Sequence, residues 1–484
     1  MFTLVSDTNM TVPIINSATL DKCVLLAFMK RSVSVIILFL LIASPGIGQV
    51  KNSSEGIRLF NGKDLKGWKI LGGKAKYEVK NGEIIGTTVS NEPNSFLTTE
   101  ETFGDFILTL EFKNESGINS GIQFRSESKP DYQNGRVHGY QLEIDPSPRA
   151  WTGGIYDEAR RLWLYPLEYN PAAKKALKPT DWNTARIECI GNTLRIFING
   201  VPTSHVVDDM TLKGFIALQV HSINKPEDAG KQVQWRNILL QTQNLKPTPP
   251  DDIFVVNLIP NNLSDQEKKN GVSLLWDGKS LEGWRAPYSD KAPEQGWVIK
   301  DGTLTITKPA SADAKHSDLV TQKEFGFFDL QFEFKLTEGA NSGVKYAVAE
   351  SEKFKGAAIG LEYQILDDVS HPDSGQGVVG NRKQGSLYDL IPALQIARGQ
   401  HKIGEWNWGR IIVFPDNRVE HWLNGYKVVE YQRGTPIYDA LVARSKYAQY
   451  EKFGMGEKGR ILLQDHGDEV SFRSIKIKEL TVKP

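Results

Sequence analysis

The segment Leu59-Phe-Asn-Gly-Lys-Asp-Leu-Lys-Gly-Trp68 returns as Leu275-Trp-Asp-Gly-Lys-Ser-Leu-Glu-Gly-Trp284. The segments downstream of each copy return too, in the same order. Tyr77-Glu-Val-Lys-Asn-Gly82 matches Trp297-Val-Ile-Lys-Asp-Gly302, and Phe103-Gly-Asp-Phe-Ile-Leu-Thr-Leu-Glu-Phe-Lys113 matches Phe325-Gly-Phe-Phe-Asp-Leu-Gln-Phe-Glu-Phe-Lys335. Asn119-Ser-Gly-Ile122 matches Asn341-Ser-Gly-Val344, Trp182-Asn183 matches Trp406-Asn407, and Leu218-Gln-Val-His221 matches Leu463-Gln-Asp-His466. A kept order of motifs over some 200 residues is the mark of a duplicated domain. The first copy spans residues 55–241 and the second 271–484. Residues 242–270 join them through a stiff run, Lys246-Pro-Thr-Pro-Pro-Asp251, and a short helix opened by the capping box Ser264-Asp-Gln-Glu267.

Each copy reads as strands. Phe106-Ile-Leu-Thr-Leu-Glu-Phe112 and Leu194-Arg-Ile-Phe-Ile198 have strand length and strand patterning. Asn81-Gly82, Asn199-Gly200, Asp301-Gly302 and Asn424-Gly425 are hairpin dipeptides. Amphipathic helical patterns are scarce, so the fold class is all-β, two tandem two-sheet sandwiches or jelly rolls.

The 484 residues carry 58 basic and 58 acidic side chains. That balance excludes a strongly basic surface for nucleic acid or anionic membrane. Lys30-Arg31, the apolar run Val33–Ile42 and the small residues Ala43, Ser44, Gly46 and Gly48 have the order of a secretory signal. It occupies residues 29–48, starts at Met29, and leaves an upstream stretch 1–28 of no known targeting class. Its apolar run is shorter than the roughly twenty residues of a membrane span. No span is expected after cleavage, and no cysteine stands at the signal's end to take a lipid. The expected location is periplasmic or secreted. Cys189, the one cysteine after the signal, reads as a core thiol.

Strand alternation sorts polar side chains onto shared faces. In the first copy these are Gln123 with Arg125, then Gln141, Glu143 and Asp145, then Gln219 with His221. In the second they are Lys345, then Glu362 with Gln364, then Gln464 with His466. A polar face in mid-strand is costly to bury without a ligand or water, so each copy is expected to present a ligand groove; a solvated outer face is the alternative. Trp68, Trp151 and Trp163 are candidates to stack on sugar rings, although Trp68 also fits a core position. The loop Asp367-Asp-Val-Ser-His-Pro-Asp373 offers Asp367, His371 and Asp373 as donors to a divalent ion, or is simply solvated.

With these motifs the chain resembles the 3-keto-disaccharide hydrolase domain family over nearly all of residues 55–484. The resemblance rests on the Leu-Phe-Asn-Gly-Lys-x-Leu-x-Gly-Trp opening, the Asn-Ser-Gly strand, Glu362-Tyr-Gln-Ile-Leu-Asp367, Gly385-Ser-Leu-Tyr-Asp389, Trp406-Asn407 and Leu463-Gln-Asp-His466-Gly. It implies a concanavalin A-like jelly roll and action on glycosides oxidised to a ketone at ring carbon 3. A base removes the acidified proton on carbon 2, a cation or metal steadies the enolate, the substituent on carbon 1 is eliminated, and water adds back. A separate sugar 3-dehydrogenase would supply the ketone.

Carried onto this sequence, the resemblance makes His466 or Glu362 the base and Lys345 the electrophile. Gln364, Asp367 and Gln464 orient hydroxyls, and Tyr388 and Asp389 close the site. The first-copy counterparts are His221, Glu143, Arg125, Gln123, Gln141, Gln219, Tyr156 and Asp157. The copies diverge, because Gln141 stands where the second has Glu362 and Glu143 where it has Gln364. They therefore differ in substrate, or one only binds. No cofactor is implied beyond the divalent ion. Two other functions fit the residues, a non-catalytic tandem carbohydrate-binding protein and an ordinary glycoside hydrolase on a laminarinase-like fold. The spacing of Glu143 and Asp145 on one strand face disfavours the last.

Overall fold

A computed structural model of the protein describes residues 56–481 apart from 115–116, 310, 312–315, 352–357, 396–398 and 400. The signal at 29–48 and the stretch before it lie outside the described residues.

The protein is all-β, with two jelly-roll sandwiches in tandem. In the first, a nine-stranded sheet built around Phe106–Lys113, Asn183–Ile190 and Gln232–Gln241 packs on a seven-stranded sheet. The second pairs an eight-stranded with a five-stranded sheet. Between the sheets, Phe106, Leu108, Leu110 and Phe112 fill one core, and their counterparts Phe328, Leu330, Phe332 and Phe334 fill the other. Cys189 is buried in the first core, where loss of water pushes its thiol up to about 12.

The repeated motifs are structural devices. In the opening motif the indole N–H of Trp68 donates to the Leu59 carbonyl at 2.8 Å, and Trp284 does the same to Leu275 at 3.0 Å. Asn61 and Asp277 each accept two backbone N–H groups of the intervening turn. Trp68 is therefore a core clasp and not a sugar platform. The expected hairpin turns hold: Asn81, Asn199, Asp301 and Asn424 all take positive φ, as do the glycines after them.

One shared irregularity alters the strand parity. Arg125 and Ala347 sit at φ 45° and 49° in equivalent bulges. A Cβ on Gly214 would come within 2.4 Å of the Arg125 backbone, and one on Gly459 within 2.5 Å of Ala347, so the neighbouring strand can pass only as glycine.

The joining segment is not a free spacer. Arg186, Glu188 and Arg195 tie it across the outer face of the nine-stranded sheet, and Val256–Asn257 pairs in parallel with Val206–Val207. The short helix Asp265–Lys269 carries the expected capping box. Glu267 of that box also meets Lys476 of the second sandwich at 2.8 Å, both buried. Nearby, Tyr169 of the first sandwich lies against Phe254, Trp408 and Trp422, and Arg410 covers Phe254. Trp151 joins this seam through Trp163 and Tyr426 rather than offering a free face to a sugar. Among the described residues no helix is long and apolar enough to cross a membrane.

Candidate active site

The smaller sheet of each sandwich turns one face to the core and the other to a groove. In the second copy Lys345 on strand Asn341–Ala349 is in register with Glu362 on strand Ile359–Leu366. Gln464 comes directly after the neighbouring strand Arg460–Leu463, and His466 stands exposed at the rim. Lys345 Nζ is 4.0 Å from Glu362 Oε2. With its amide turned so that each end meets a complementary group, Gln464 donates to Glu362 and accepts from Lys345, both at 3.1 Å, and lies 3.1 Å from His466 Nε2. Gly343 of the Asn-Ser-Gly motif makes this possible, because a Cβ there would stand 2.7 Å from a Glu362 oxygen and 3.1 Å from Gln464. The structure thus brings Lys345, Glu362, Gln464 and His466 together.

Two further residues join them. Asp318 accepts the Asp465 N–H at 2.8 Å, and burial raises its pKa against the pull of Lys345. Alternation along Ser317-Asp-Leu-Val could have revealed it, since Leu319 faces the core. Lys446 comes from Thr435–Tyr450, a helix and turn inserted where the first copy has the short connection Asp208–Gly214. No strand pattern could have signalled it. Desolvation, with Lys345's charge, draws Lys446 below the usual lysine range, against the attraction of Glu362. Lys345, Glu362, Lys446, Tyr447 and Tyr450 line a cavity of about 220 Å³.

Other expected residues shape this site from behind. Tyr388 donates to Asp373 at 2.8 Å, and its ring lies under Lys446 at 4.1 Å. Asp389 is paired with Arg382 and accepts the Lys446 N–H. Gln364 is buried and donates to Asn341, its carbonyl oxygen lacking a partner. Asp367 does not orient a hydroxyl. It accepts N–H groups of Gly339, Val369 and Ser370, and these bonds outweigh burial and hold its carboxyl below the usual range. The metal candidates do not converge either. Asp367 is spent on its loop, His371 Nδ1 accepts the Asp373 N–H, and Asp373 binds Arg382 and Tyr388. Among the described residues no three His, Cys, Asp or Glu side chains are arranged to hold a metal ion.

The first copy keeps the groove but changes its chemistry. Asn119 donates to Glu143 at 2.6 Å, Gln141 to Glu143 at 2.8 Å, and Gln123 to Gln141 at 2.6 Å. Burial pushes Glu143 up to about 7. Gln219 is fully buried with both amide ends unpartnered, and His221 Nδ1 is engaged by the Ser222 carbonyl at 2.6 Å. Tyr156 shares this face, set edge-on to Trp163. Strand register places Phe96 where the second copy has Asp318.

Three first-copy expectations fail. The bulge turns Arg125 away from the groove and into the molecule, where it donates to Gly104, Gly191 and Asp105. Asp157 faces opposite to Tyr156 and is buried between Arg160 and Arg161. Asp145 is likewise held by Arg149 and Ser147 in its own loop.

The chain is similar to known proteins. A family model described as 3-keto-alpha-glucoside-1,2-lyase-like domain matches residues 55–241 and again 271–478. A Bacteroides thetaiotaomicron protein named 3-keto-disaccharide hydrolase is 34% identical over 233 residues, covering 44% of this chain and 79% of the relative. A solved Parabacteroides distasonis protein, named as a candidate glycosyl hydrolase, is 31% identical at a TM-score of 0.41 and covers 46% of this chain and 100% of its own. A carbohydrate binding module from Bacillus subtilis, at 14% identity and a TM-score of 0.25, covers 36% of this chain and 95% of its own. With both sandwiches matched by one family model, the chain belongs to the 3-keto-alpha-glucoside-1,2-lyase-like domain family.

Proposed function

We propose that this protein is an exported enzyme that cleaves 3-keto-glycosides by elimination and rehydration, and that the second copy carries the reaction. The observation behind this is the meeting of one carboxylate, Glu362, with two ammonium groups, Lys345 and Lys446, in a single cavity.

A 3-ketone acidifies the hydrogen on carbon 2. Glu362 takes that proton. The electron pair moves onto the ketone oxygen, where Lys345 and Lys446 supply positive charge and hydrogen-bond donors. Collapse of the enolate expels the carbon-1 substituent, which leaves as an alcohol once protonated. Water then adds across the new double bond, and the net result is hydrolysis. Gln464 holds Glu362 and Lys345 in register, while His466 at the rim stands where a leaving-group oxygen or incoming water would exchange protons. The family membership and the named relative support the substrate class.

The cavity is smaller than the ~300–1,000 Å³ of drug-sized clefts. It suits one sugar ring, with the rest of the glycoside outside. The first copy has Gln123, Gln141 and Phe96 at the positions of Lys345, Glu362 and Asp318, so its groove lacks the cation assigned to the enolate in the second copy. The proposed location is the periplasm or the outside of the cell, and a separate sugar 3-dehydrogenase supplies the substrate.

The test offers a 3-keto-glucoside and the plain glucoside in parallel to the wild type and to Lys345→Met. Aglycone release from the keto substrate alone, lost in the variant, is the expected result. Release from the plain glucoside would replace this reading with an ordinary hydrolase using Glu362 and Asp318.

A further inference from the structure

The reaction in the second groove needs an acid as well as a base, because an alcohol leaves carbon 1 only once its oxygen is protonated. Asp318 is the accessible carboxyl there to which no step has been given. Four neighbouring strands of the smaller sheet run in the order Leu319–Thr321, Arg460–Leu463, Asn341–Ala349, Ile359–Leu366. Leu319 pairs with Leu463, so Asp318 stands beside Gln464 at one end of the polar row, and Glu362 stands at the other end next to Lys345. Strands lie about 4.8 Å apart, which separates the two end backbones by about 14 Å. Glu362 leans inward to Gln464 at 3.1 Å, and Asp318 feels the charge of Lys345. The hydrogen on carbon 2 and the oxygen on carbon 1 are neighbours on a sugar, so a base and an acid flanking one ring can serve both.

Asp318 is held as a working group. Its Oδ1 accepts the Asp465 N–H at 2.8 Å. Asp465 is fixed in turn, since its buried carboxyl lies 3.0 Å from His316 Nδ1 and accepts the Gly467 N–H at 2.7 Å. A Cβ on Gly296 would stand 2.7 Å from that carboxyl, so the backbone closes over it. Asp318 itself is half-buried, and its Oδ2 makes no hydrogen bond among the described residues and keeps accessible surface. One oxygen is anchored and the other is open to the groove. Burial raises the pKa of Asp318 against Lys345, the Asp465 N–H and His466, so its proton is kept further up the pH range than on an ordinary aspartate.

The first copy provides a comparison within the chain. Register puts Phe96 at the position of Asp318 and Asn94 at that of His316, and the repeated motif puts Val220 at that of Asp465. The copy without the Lys345 and Glu362 pair thus lacks the whole Asp318 assembly, and the same fold forms without it.

We infer that Asp318 is the general acid of the second groove and gives its proton to the carbon-1 oxygen as the bond between them breaks. The inference rests on the reaction proposed above and moves protonation of the leaving oxygen inward from His466 at the rim. The protons balance. Glu362 takes the hydrogen of carbon 2, the freed electron pair becomes the double bond between carbons 1 and 2, and the leaving oxygen departs with its bonding pair and the Asp318 proton. Asp318, now a carboxylate, takes a proton from the water that bonds to carbon 1, and Glu362 returns its own to carbon 2. Both carboxyls end as they began.

Methyl and para-nitrophenyl 3-keto-glucosides of one anomeric configuration, offered to the wild type, Asp318→Asn and His466→Gln, test this. A nitrophenolate departs as a stable anion and needs no proton, whereas methoxide needs one. Asp318→Asn is expected to lower kcat/KM for the methyl substrate by about 10²-fold or more, the usual contribution of a general acid, and for the nitrophenyl substrate by less than about tenfold. The ratio of the two rates on one sample does not depend on how much of that sample is folded. Equal losses on both substrates, no loss on either, or the leaving-group dependence appearing in His466→Gln instead would overturn the inference and leave the proposed reaction standing. Release from neither substrate by the wild type would overturn both.

Discussion

Lys345 and Glu362 face each other across two antiparallel strands with 4.0 Å between charged atoms, while the register partners at the same place in the first copy are Gln123 and Gln141, hydrogen-bonded at 2.6 Å. An ion pair in one sandwich is an amide pair in the other. The strand pair that presents them is the same, so at this position the copies differ in their side chains, while the inserted segment with Lys446 adds a further difference around it.

Replacing Lys345 by Met is expected to lower kcat/KM for a 3-keto-glucoside by roughly 10²–10³-fold, the usual loss when one donor to a developing oxyanion is removed. Gln123→Met in the first copy is expected to leave the rate within about twofold, because a group outside the reacting site stabilises no transition state. Steady-state kinetics of the two variants against wild type checks both.

Asp318→Phe installs the first copy's residue in the second groove. Release of aglycone is expected to fall below detection while the fold survives, because Phe96 already sits at this position in the first sandwich. Aglycone assays with circular dichroism on the same sample separate the two effects.

Glu143 gives a pH signature to the first copy. Its folded pKa, raised from 4.5 to about 7 chiefly by burial, means the folded state keeps a proton that the unfolded chain has lost between those values. The stabilisation is full below pH 4.5 and disappears as pH rises through about 7. Glu143→Gln is expected to remove this dependence and to raise stability at pH 8 by about 1–3 kcal/mol. Asn119, whose side-chain oxygen has no partner, can turn to accept the new amide. Denaturant melts at pH 4.5 and pH 8 measure the difference.

Lys476→Met leaves Glu267 charged, buried and still needed by Ser264 and Asn257. A loss of about 3–5 kcal/mol is expected, with partial recovery in the Lys476→Met, Glu267→Gln double variant. Thermal unfolding of the single and double variants provides the comparison.

Tyr169→Ala opens the aromatic seam of Phe254, Trp408 and Trp422. The two sandwiches are expected to unfold as one calorimetric transition in the wild type and as two in the variant, because the seam is the largest apolar link between two cores that share little else than Tyr426.

The amino-acid sequence alone determined the duplication, the sandwich class, the Asn-Gly turns and the polar face that carries Lys345, Glu362, Gln464 and His466. Those features are local or periodic: a strand alternates by geometry, and a type I′ turn requires two residues with positive φ. Tertiary structure decided the rest. A single bulged residue at Arg125 broke the alternation and sent a candidate electrophile into the molecule, which parity counting cannot foresee. Asp367 and His371 satisfied backbone groups of their own loop, so donor types close in sequence never became a donor set in space. Lys446 entered from an insertion 84 residues along the chain from Glu362, and the seam between the sandwiches joined Tyr169 to Trp408. Contacts between residues far apart in sequence depend on which surfaces exclude water together, and that is settled only when the whole chain has packed.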